Sequence, residues 1–134
     1  MKMKMKILNE IAEFATCERG NRWFRNSDLS VYLRMNKRRI EDRLVHALDI
    51  ANVTTTVENN GTFTFFLEHM ESLVAEHQTL EYVYIENVMT TQFSEFFIKR
   101  GYTEVKHSMA HFSVAPNICR SFYKCFTEVP SEPL

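Results

Sequence analysis

The stretch from Asp49 to Leu73, DIANVTTTVENNGTFTFFLEHMESL, combines residue types that could hold a phosphate group. A β-branched segment runs into an Asn-Asn-Gly turn, and an amphipathic helix follows. The first N–H groups of a helix have no partner within it, and the helix dipole favours an anion at that end. Glycine lets the backbone approach a phosphate because it has no Cβ, and asparagine tolerates positive φ. The turn is therefore a candidate for holding a phosphorylated cofactor.

The cysteines and histidines do not form a recognisable metal or nucleophile motif. Cys17, Cys119 and Cys125 are odd in number and have no CxxC spacing, so we expect reduced thiols. His107 and His111 are four residues apart, a spacing that can ligate zinc on a helix. Their segment has no helical apolar face and no thiolate at ligand spacing. We therefore expect a structural or surface role for both histidines and predict no metal site.

The periodicity of apolar residues predicts three helices that would position these groups. The first spans roughly Ile7–Glu18 and stops near Gly20, and the second, Phe63–His77, has the clearest apolar face. The third is short, with Thr90 or Thr91 as its cap. Its inward-facing side chains are predicted to be Phe93, Phe96 and Phe97.

Strand-forming segments alternate with these helices. Leu29–Met35 alternates apolar with polar residues, and a turn at Asn36-Lys37 would lead into Arg39–Val57, as one long strand or two. Tyr82–Val88 is apolar enough to be central. The remaining predicted strands are Tyr102–Lys106 and Arg120–Phe126. A crossover through the Phe63 helix makes Tyr82–Val88 a parallel neighbour of the strand before that helix. The fold class is therefore α/β (α+β), built on a mixed sheet.

The length of 134 residues fits a single domain. We divide it into an N-terminal helix and connection (1–28), antiparallel strands (29–57), a cleft half (58–126) and a tail (127–134). The opening MKMKMKILNE lacks the apolar core of a signal peptide, and no apolar run approaches the ~18 residues of a membrane span. We therefore expect a soluble, cytoplasmic protein that does not use a membrane.

The charge is unevenly distributed, although the net value is only -1. Residues 1–46 contain eleven Lys/Arg and six Asp/Glu, whereas residues 47–134 contain five and eleven. The basic density centres on Arg34–Arg43, which could attract nucleic acid or cofactor phosphates but is more typical of a solvated turn. No aromatic ladder accompanies these residues in the sequence, so nucleic acid is not favoured as a partner.

Six segments follow one another along the chain between about Val31 and Lys124: VYLR, LDIANV, GTFTFFLEHMESL, VYIENV, FFIKRGY and SFYK. In this order they resemble the GNAT superfamily of acetyl-CoA-dependent N-acetyltransferases. They are most similar to the small GNAT-like proteins encoded by tailed bacteriophages. The resemblance implies a GNAT-like mixed sheet whose central parallel strands splay apart between flanking helices.

The resemblance also implies where acetyl-CoA would bind. The strand Asp49–Thr55 would part from Tyr82–Asn87 and open a cleft. Main-chain groups of the first strand would bond the pantetheine arm, and the turn before the helix would receive the pyrophosphate. The implied cofactor-binding residues are Ala51, Asn52, Val53, Asn59, Asn60, Gly61, Thr62 and Phe63.

The turn departs from the family pattern, (Gln/Arg)-x-x-Gly-x-(Gly/Ala). Thr56 stands for Gln/Arg, Asn59 stands for the first glycine, and Gly61 remains. Glu58 adds a negative charge that would cost on the order of 1 kcal/mol beside a pyrophosphate. These departures imply a weaker hold on the cofactor.

Catalysis in the family commonly uses a tyrosine to protonate the departing thiolate, and Phe97 stands at that place here. Tyr84 or Tyr123 could substitute, and Tyr123 is preferred. Asp49 and Glu86, on the two splayed strands, are candidate general bases for an amine. A plain alternative is that these carboxylates pair with arginines of Arg34–Arg43 or with solvent.

The resemblance therefore predicts direct acetyl transfer from acetyl-CoA to an amine on a small molecule or a protein. The alternative is a catalytically degenerate GNAT scaffold that binds a host or virion protein. A homodimer is compatible with either function. If phage-encoded, the protein would act in the host cytoplasm.

Overall fold

The computed structural model describes residues 5–16, 20–55, 61–88, 91–105 and 120–126. Within these ranges the chain forms three helices and six strands. In chain order they are α1 (Met5–Phe14), β1 (Gly20–Arg25), β2 (Leu29–Ile40), β3 (Arg43–Thr55), α2 (Thr62–Glu76), β4 (Tyr82–Val88), α3 (Thr91–Lys99), β5 (Thr103–Glu104) and β6 (Arg120–Cys125). None of these helices is long and apolar enough to cross a membrane.

The strands form one mixed sheet in the order β1-β2-β3-β4-β6-β5. β3 and β4 are parallel, and the other neighbouring pairs are antiparallel. The crossovers through α2 and α3 both run in the same direction across the sheet. Because such crossovers are right-handed, both helices lie on the same face.

A single apolar cluster joins this face to all three described helices. Its helix members include Ile11 of α1, Phe66 of α2 and Phe97 of α3. Its strand members alternate along the chain, as on β2, where every second residue is buried: Leu29, Val31, Leu33 and Met35. The opposite face holds a smaller buried cluster of Ile40, Val45, Ala47 and Tyr84, and no described helix covers it.

The helix periods and the parallel pair predicted from the sequence are confirmed. β4 has the predicted bounds Tyr82–Val88, and α2 matches the prediction to within one residue at each end. Thr91 begins α3, whereas Thr90 lies outside the described residues. α1 ends at Phe14, before the predicted Glu18. Of the three inward-facing phenylalanines, Phe97 is buried, Phe96 is half-buried and Phe93 is 42% exposed, so the prediction for Phe93 is wrong.

Two features of the strands differ from the prediction. β1 was not expected, because the short segment GNRWFR has little alternation of its own and is held by pairing with β2. The predicted turn at Asn36-Lys37 is wrong, because β2 continues to Ile40. The chain reverses instead at Glu41 and Asp42, which have φ of 51° and 64°. Two central residues with positive φ match the right-handed twist of a two-residue hairpin. The basic segment therefore lies mainly on a strand and not in a solvated turn.

We expect the apolar cluster to depend on Phe97. Its ring lies within 6.0 Å, centroid to centroid, of the rings of Phe63, Phe93, Phe96, Tyr102 and Phe122. Phe97→Ala should lower the free energy of unfolding by about 3–5 kcal/mol because it leaves a cavity in a packed core. Phe93→Ala, on the same helix, is the matched control and should cost clearly less. Urea denaturation measures both, and equal losses would contradict this packing.

Candidate active site

The parallel strands β3 and β4 stay paired over four residues and then part. The paired residues run from Ala47 and Tyr82 to Ile50 and Ile85, yet both strands continue, to Thr55 and Val88. The register of β2 with β3 shifts at the same level: Leu33 pairs with Ile50 and Tyr32 with Asn52. Ala51 is thereby left without a partner residue, as in a β-bulge, which bends a strand and frees backbone groups. The sheet therefore opens at the carboxyl ends of its parallel strands, where open α/β sheets hold ligands.

Helix α2 begins near the same end of β3, after the segment 56–60. Its N-cap is Gly61, with φ 85°, and no side-chain capping bond is present among the described residues. A Cβ on Gly61 would meet no atom within 4 Å among the described residues beyond its chain neighbours. The first turn of α2, as described, carries no acidic side chain. These features suit an anion at the first amides of the helix, Thr62 and Phe63 among them.

A network of two arginines and two carboxylates lies on the face without helices. Arg34 and Arg38 project from β2, Asp49 from β3 and Glu86 from β4. Arg38 Nη2 donates to Asp49 Oδ2 at 2.7 Å and also to Glu86 Oε2. Arg34 Nη1 donates to Glu86 Oε2 at 3.1 Å. The arginines thus bridge the two strands that part.

Burial and pairing give the two carboxyl groups different pKa values. Asp49 is fully buried, and burial, together with a hydrogen bond shared with Glu86, raises its pKa from 3.8 to about 7 despite Arg38. Burial also acts to raise the pKa of Glu86, but the hydrogen bond with Asp49 and the charges of Arg38 and Arg34 outweigh it and lower that pKa. As the pH falls through about 7, the pair therefore takes up one proton, on Asp49. Asp49 Oδ1 is buried and makes no hydrogen bond among the described residues.

The structure brings Asp49 and Glu86 together but places Tyr123 elsewhere. Tyr123 lies opposite Tyr84 in the β4–β6 pair, and its hydroxyl donates to Glu41 Oε1 at 2.6 Å. Burial and Glu41 raise its pKa to about 12. Its role as an acid stays a prediction. Tyr84 is buried beneath the guanidinium of Arg38, 4.0 Å from the ring centroid.

The residues predicted for the cofactor are partly described. Ala51 is buried at the bulge, Asn52 is exposed on the face without helices, and Val53 packs against the main core. Asn59 and Asn60 lie outside the described residues. So do Thr56, Glu58, His107, His111, Cys17 and Cys119. Cys125 forms no disulfide bond among the described residues, and no group of three or more potential metal ligands occurs in the described part of the chain.

The sequence did not identify Arg34 and Arg38 individually as site residues. The structure does contain the alternative arrangement, in which the carboxylates pair with arginines of the segment Arg34–Arg43. The signal was available in the alternation of β2. Arg34, Asn36 and Arg38 are spaced by two and so share a face, whereas the apolar residues before them occupy the other. The distance along the chain hid the pairing, since Arg34 and Glu86 are 52 residues apart.

A separate cavity of about 380 Å³ lies at the other end of α2. Its lining includes Met35, His46, His77 and Leu80. Both ring nitrogens of His77 are engaged: Nε2 lies 2.7 Å from the carbonyl of Ala15, and Nδ1 accepts from the N–H groups of Thr79 and Leu80. The histidine therefore serves to tie α1 to the loop after α2.

Stability should fall with rising pH through the titration of Asp49. Because its native pKa is raised, the folded protein binds more protons than the unfolded chain between about pH 4 and 7. Below that window the protonated Asp49 contributes fully to the free energy of unfolding. The contribution is lost as the pH rises through the window, by up to about 1.4 kcal/mol per pH unit. Denaturant titrations at several pH values across this window should show the free energy of unfolding falling with pH for the native protein relative to Asp49→Asn. Asp42→Asn, in the exposed hairpin turn, is the control, and parallel curves for the native protein and Asp49→Asn would contradict the assignment.

Comparison with known proteins adds information on the fold. No protein-family model and no curated protein matches the chain. Among solved structures, a mutant of the AtaT toxin bound to the C-terminus of the antitoxin AtaR and acetyl-CoA superposes with a TM-score of 0.53 and 10% identity. The match covers 74% of this chain and 59% of the AtaT chain, so the chain spans about three fifths of that protein's length.

A second structure is Arabidopsis thaliana Naa50 in complex with the bisubstrate analogue CoA-Ac-MVNAL. Its TM-score is 0.48 at 11% identity, and the match covers 92% of this chain and 95% of that one. At these identities the AtaT likeness concerns the fold alone. The chain is thus similar in fold to AtaT, and the expected mixed α/β architecture, a mixed sheet flanked by helices, is confirmed.

Proposed function

We propose that the protein transfers an acetyl group from acetyl-CoA directly to an amine. The observation that carries the proposal is the parting of β3 and β4 beyond Ile50 and Ile85, with a carboxylate from each strand beside the opening. The six GNAT-like segments of the sequence support the same chemistry.

The opening offers groups suited to a long, anionic cofactor. Main-chain groups at Ala51, Asn52 and Val53 lie where β3 has left β4, so they are available to an extended arm. The first amides of α2, next to Gly61, would face the pyrophosphate, and Asn59 and Asn60 would extend the same turn. Acetyl-CoA, when bound, supplies an activated thioester acetyl group.

The carboxylate pair would remove the proton from the amine. Asp49 is fully buried and so cannot contact an acceptor directly, whereas the side chain of Glu86 is 17% exposed. Glu86 would therefore accept the proton, and Asp49, whose pKa is about 7, would share it. Arg38 holds both carboxylates in place, since its Nη2 donates to each of them and its Nε donates to Asp49 as well.

The acceptor would be an amine-bearing small molecule or protein. Because the six segments resemble those of phage-encoded proteins, the proposal includes a phage origin and action in the host cytoplasm. A second candidate is a degenerate scaffold that binds a host or virion protein. The burial of Phe97, at the place of the family's tyrosine, favours it. The two functions differ in whether acetyl-CoA binds and whether an amine is acetylated.

Cofactor binding can be tested at Gly61 with a matched pair of variants. Asn and Asp tolerate positive φ better than most residues, and both variants carry the same backbone strain at φ 85°, so the two differ mainly in charge. Gly61→Asp should weaken acetyl-CoA binding by about ten-fold relative to Gly61→Asn, since it places a negative charge beside the pyrophosphate. Titration calorimetry measures the affinity, with inorganic pyrophosphate as the control ligand. No binding of acetyl-CoA to the native protein would exclude the transferase and favour the scaffold.

Amine acetylation, followed by mass spectrometry on a panel of polyamines and lysine peptides, tests the base. Glu86→Gln should lower kcat/KM by about 10²–10⁴-fold. The native kcat/KM should rise with pH through about 7 as Asp49 loses its proton, and Asp49→Asn should lose this inflection. An unchanged pH profile in Asp49→Asn would remove the carboxylate pair from the mechanism.

A further inference from the structure

Four flat side chains form a continuous stack on the face of the sheet without helices. The guanidinium of Arg25 lies 4.4 Å from the ring of Trp23, and the Trp23 and Tyr32 rings are 5.1 Å apart at an angle of 38°. The guanidinium of Arg34 lies 5.5 Å from the ring of Tyr32. We call these four residues the β1–β2 stack. It consists of two neighbouring aromatic rings with a guanidinium group at each end.

The β1–β2 stack is exposed and lies in a basic part of the chain. Trp23 is 42% exposed, and the side chain of Arg34 is 39% exposed. Residues 20–40 carry six Lys/Arg against Asp28 alone, a net charge of +5. β1 also forms one edge of the sheet, so a ligand can approach the stack from the side as well as from above.

We propose that the β1–β2 stack binds single-stranded nucleic acid. A base has a flat face that can stack on the outer face of the Arg25 guanidinium or on the part of the Trp23 ring that Arg25 and Tyr32 leave exposed. Arg25 provides charge for the phosphates, whereas Arg34, at the other end of the stack, is paired with Glu86. An acidic peptide would satisfy the charge of Arg25 but would offer no planar group to the exposed part of the stack. The combination of rings and guanidinium groups therefore favours nucleic acid.

The sequence argued against this partner because no aromatic residues alternate with the basic segment Arg34–Arg43. The structure changes that premise. The antiparallel register of β1 with β2 places Trp23 directly opposite Tyr32, and residues opposite each other share a face. Trp23 comes from a strand that the sequence did not predict, and its pairing with β2 sets it against Tyr32. The inference does not rest on the acetyl-CoA cleft.

Trp23 is the chain's one tryptophan, so its fluorescence reports on the stack without a label. Titration with a short oligouridylate should quench this fluorescence, since bases stack on the indole ring. The affinity should fall steeply between about 50 and about 200 mM salt, because phosphate contacts release counterions. Absence of quenching at the lower salt concentration, or binding that does not change with salt, would overturn the proposal.

Two variants separate the stack from general basic charge, with anisotropy of a labelled oligouridylate as the readout. Arg25→Gln should weaken binding by about ten-fold, whereas Arg39→Gln removes the same charge from β2 outside the stack and should change binding little. Trp23→Leu should weaken binding at least as much as Arg25→Gln. Thermal melts confirm that each variant is folded. Equal losses for Arg25→Gln and Arg39→Gln, or equal binding of polyglutamate, would overturn the assignment and indicate an unspecific basic surface or an acidic peptide partner.

Discussion

The arrangement of the candidate site depends on the point at which β3 and β4 stop pairing. Beyond Ile50 and Ile85 the two parallel strands continue without further residue pairs between them, and Ala51, which has no partner residue on β2, lies at the same level of β3. A bulge bends its strand and leaves backbone donors and acceptors free. The free backbone groups of β3 and the N-terminus of α2 thus lie toward the same end of the sheet, where a ligand can contact both.

The charges on the face without helices follow from this opening. An unpaired ion on a buried strand would cost several kcal/mol, so Asp49 is tolerable only with partners or a proton. It has both: Arg38 donates to it, and its pKa is raised by burial and by Glu86.

The two faces of the sheet have separate roles. The right-handed crossovers bring α2 and α3 to one face, and the main apolar core lies there with α1. The other face needs no large apolar surface and so can carry Trp23, Tyr32 and the arginines of β2. Arg34 connects the aromatic side chains of this face with the carboxylate pair, because its guanidinium lies over Tyr32 and also donates to Glu86. A ligand on the β1–β2 stack would therefore be adjacent to the carboxylate pair.

The sequence by itself determined the local elements with a strong period. The apolar face of Phe63–His77 and the apolar run Tyr82–Val88 each specify an element, and the helix between two strands specifies their parallel order. The tertiary structure decided β1, the hairpin at Glu41 and Asp42, and the pairing of Arg38 with Asp49 and Glu86, 11 and 48 residues away. The reason is physical: alternation tells which face of a strand a side chain occupies. Which residues meet across strands depends on register and bulges, which are set by the packed sheet as a whole.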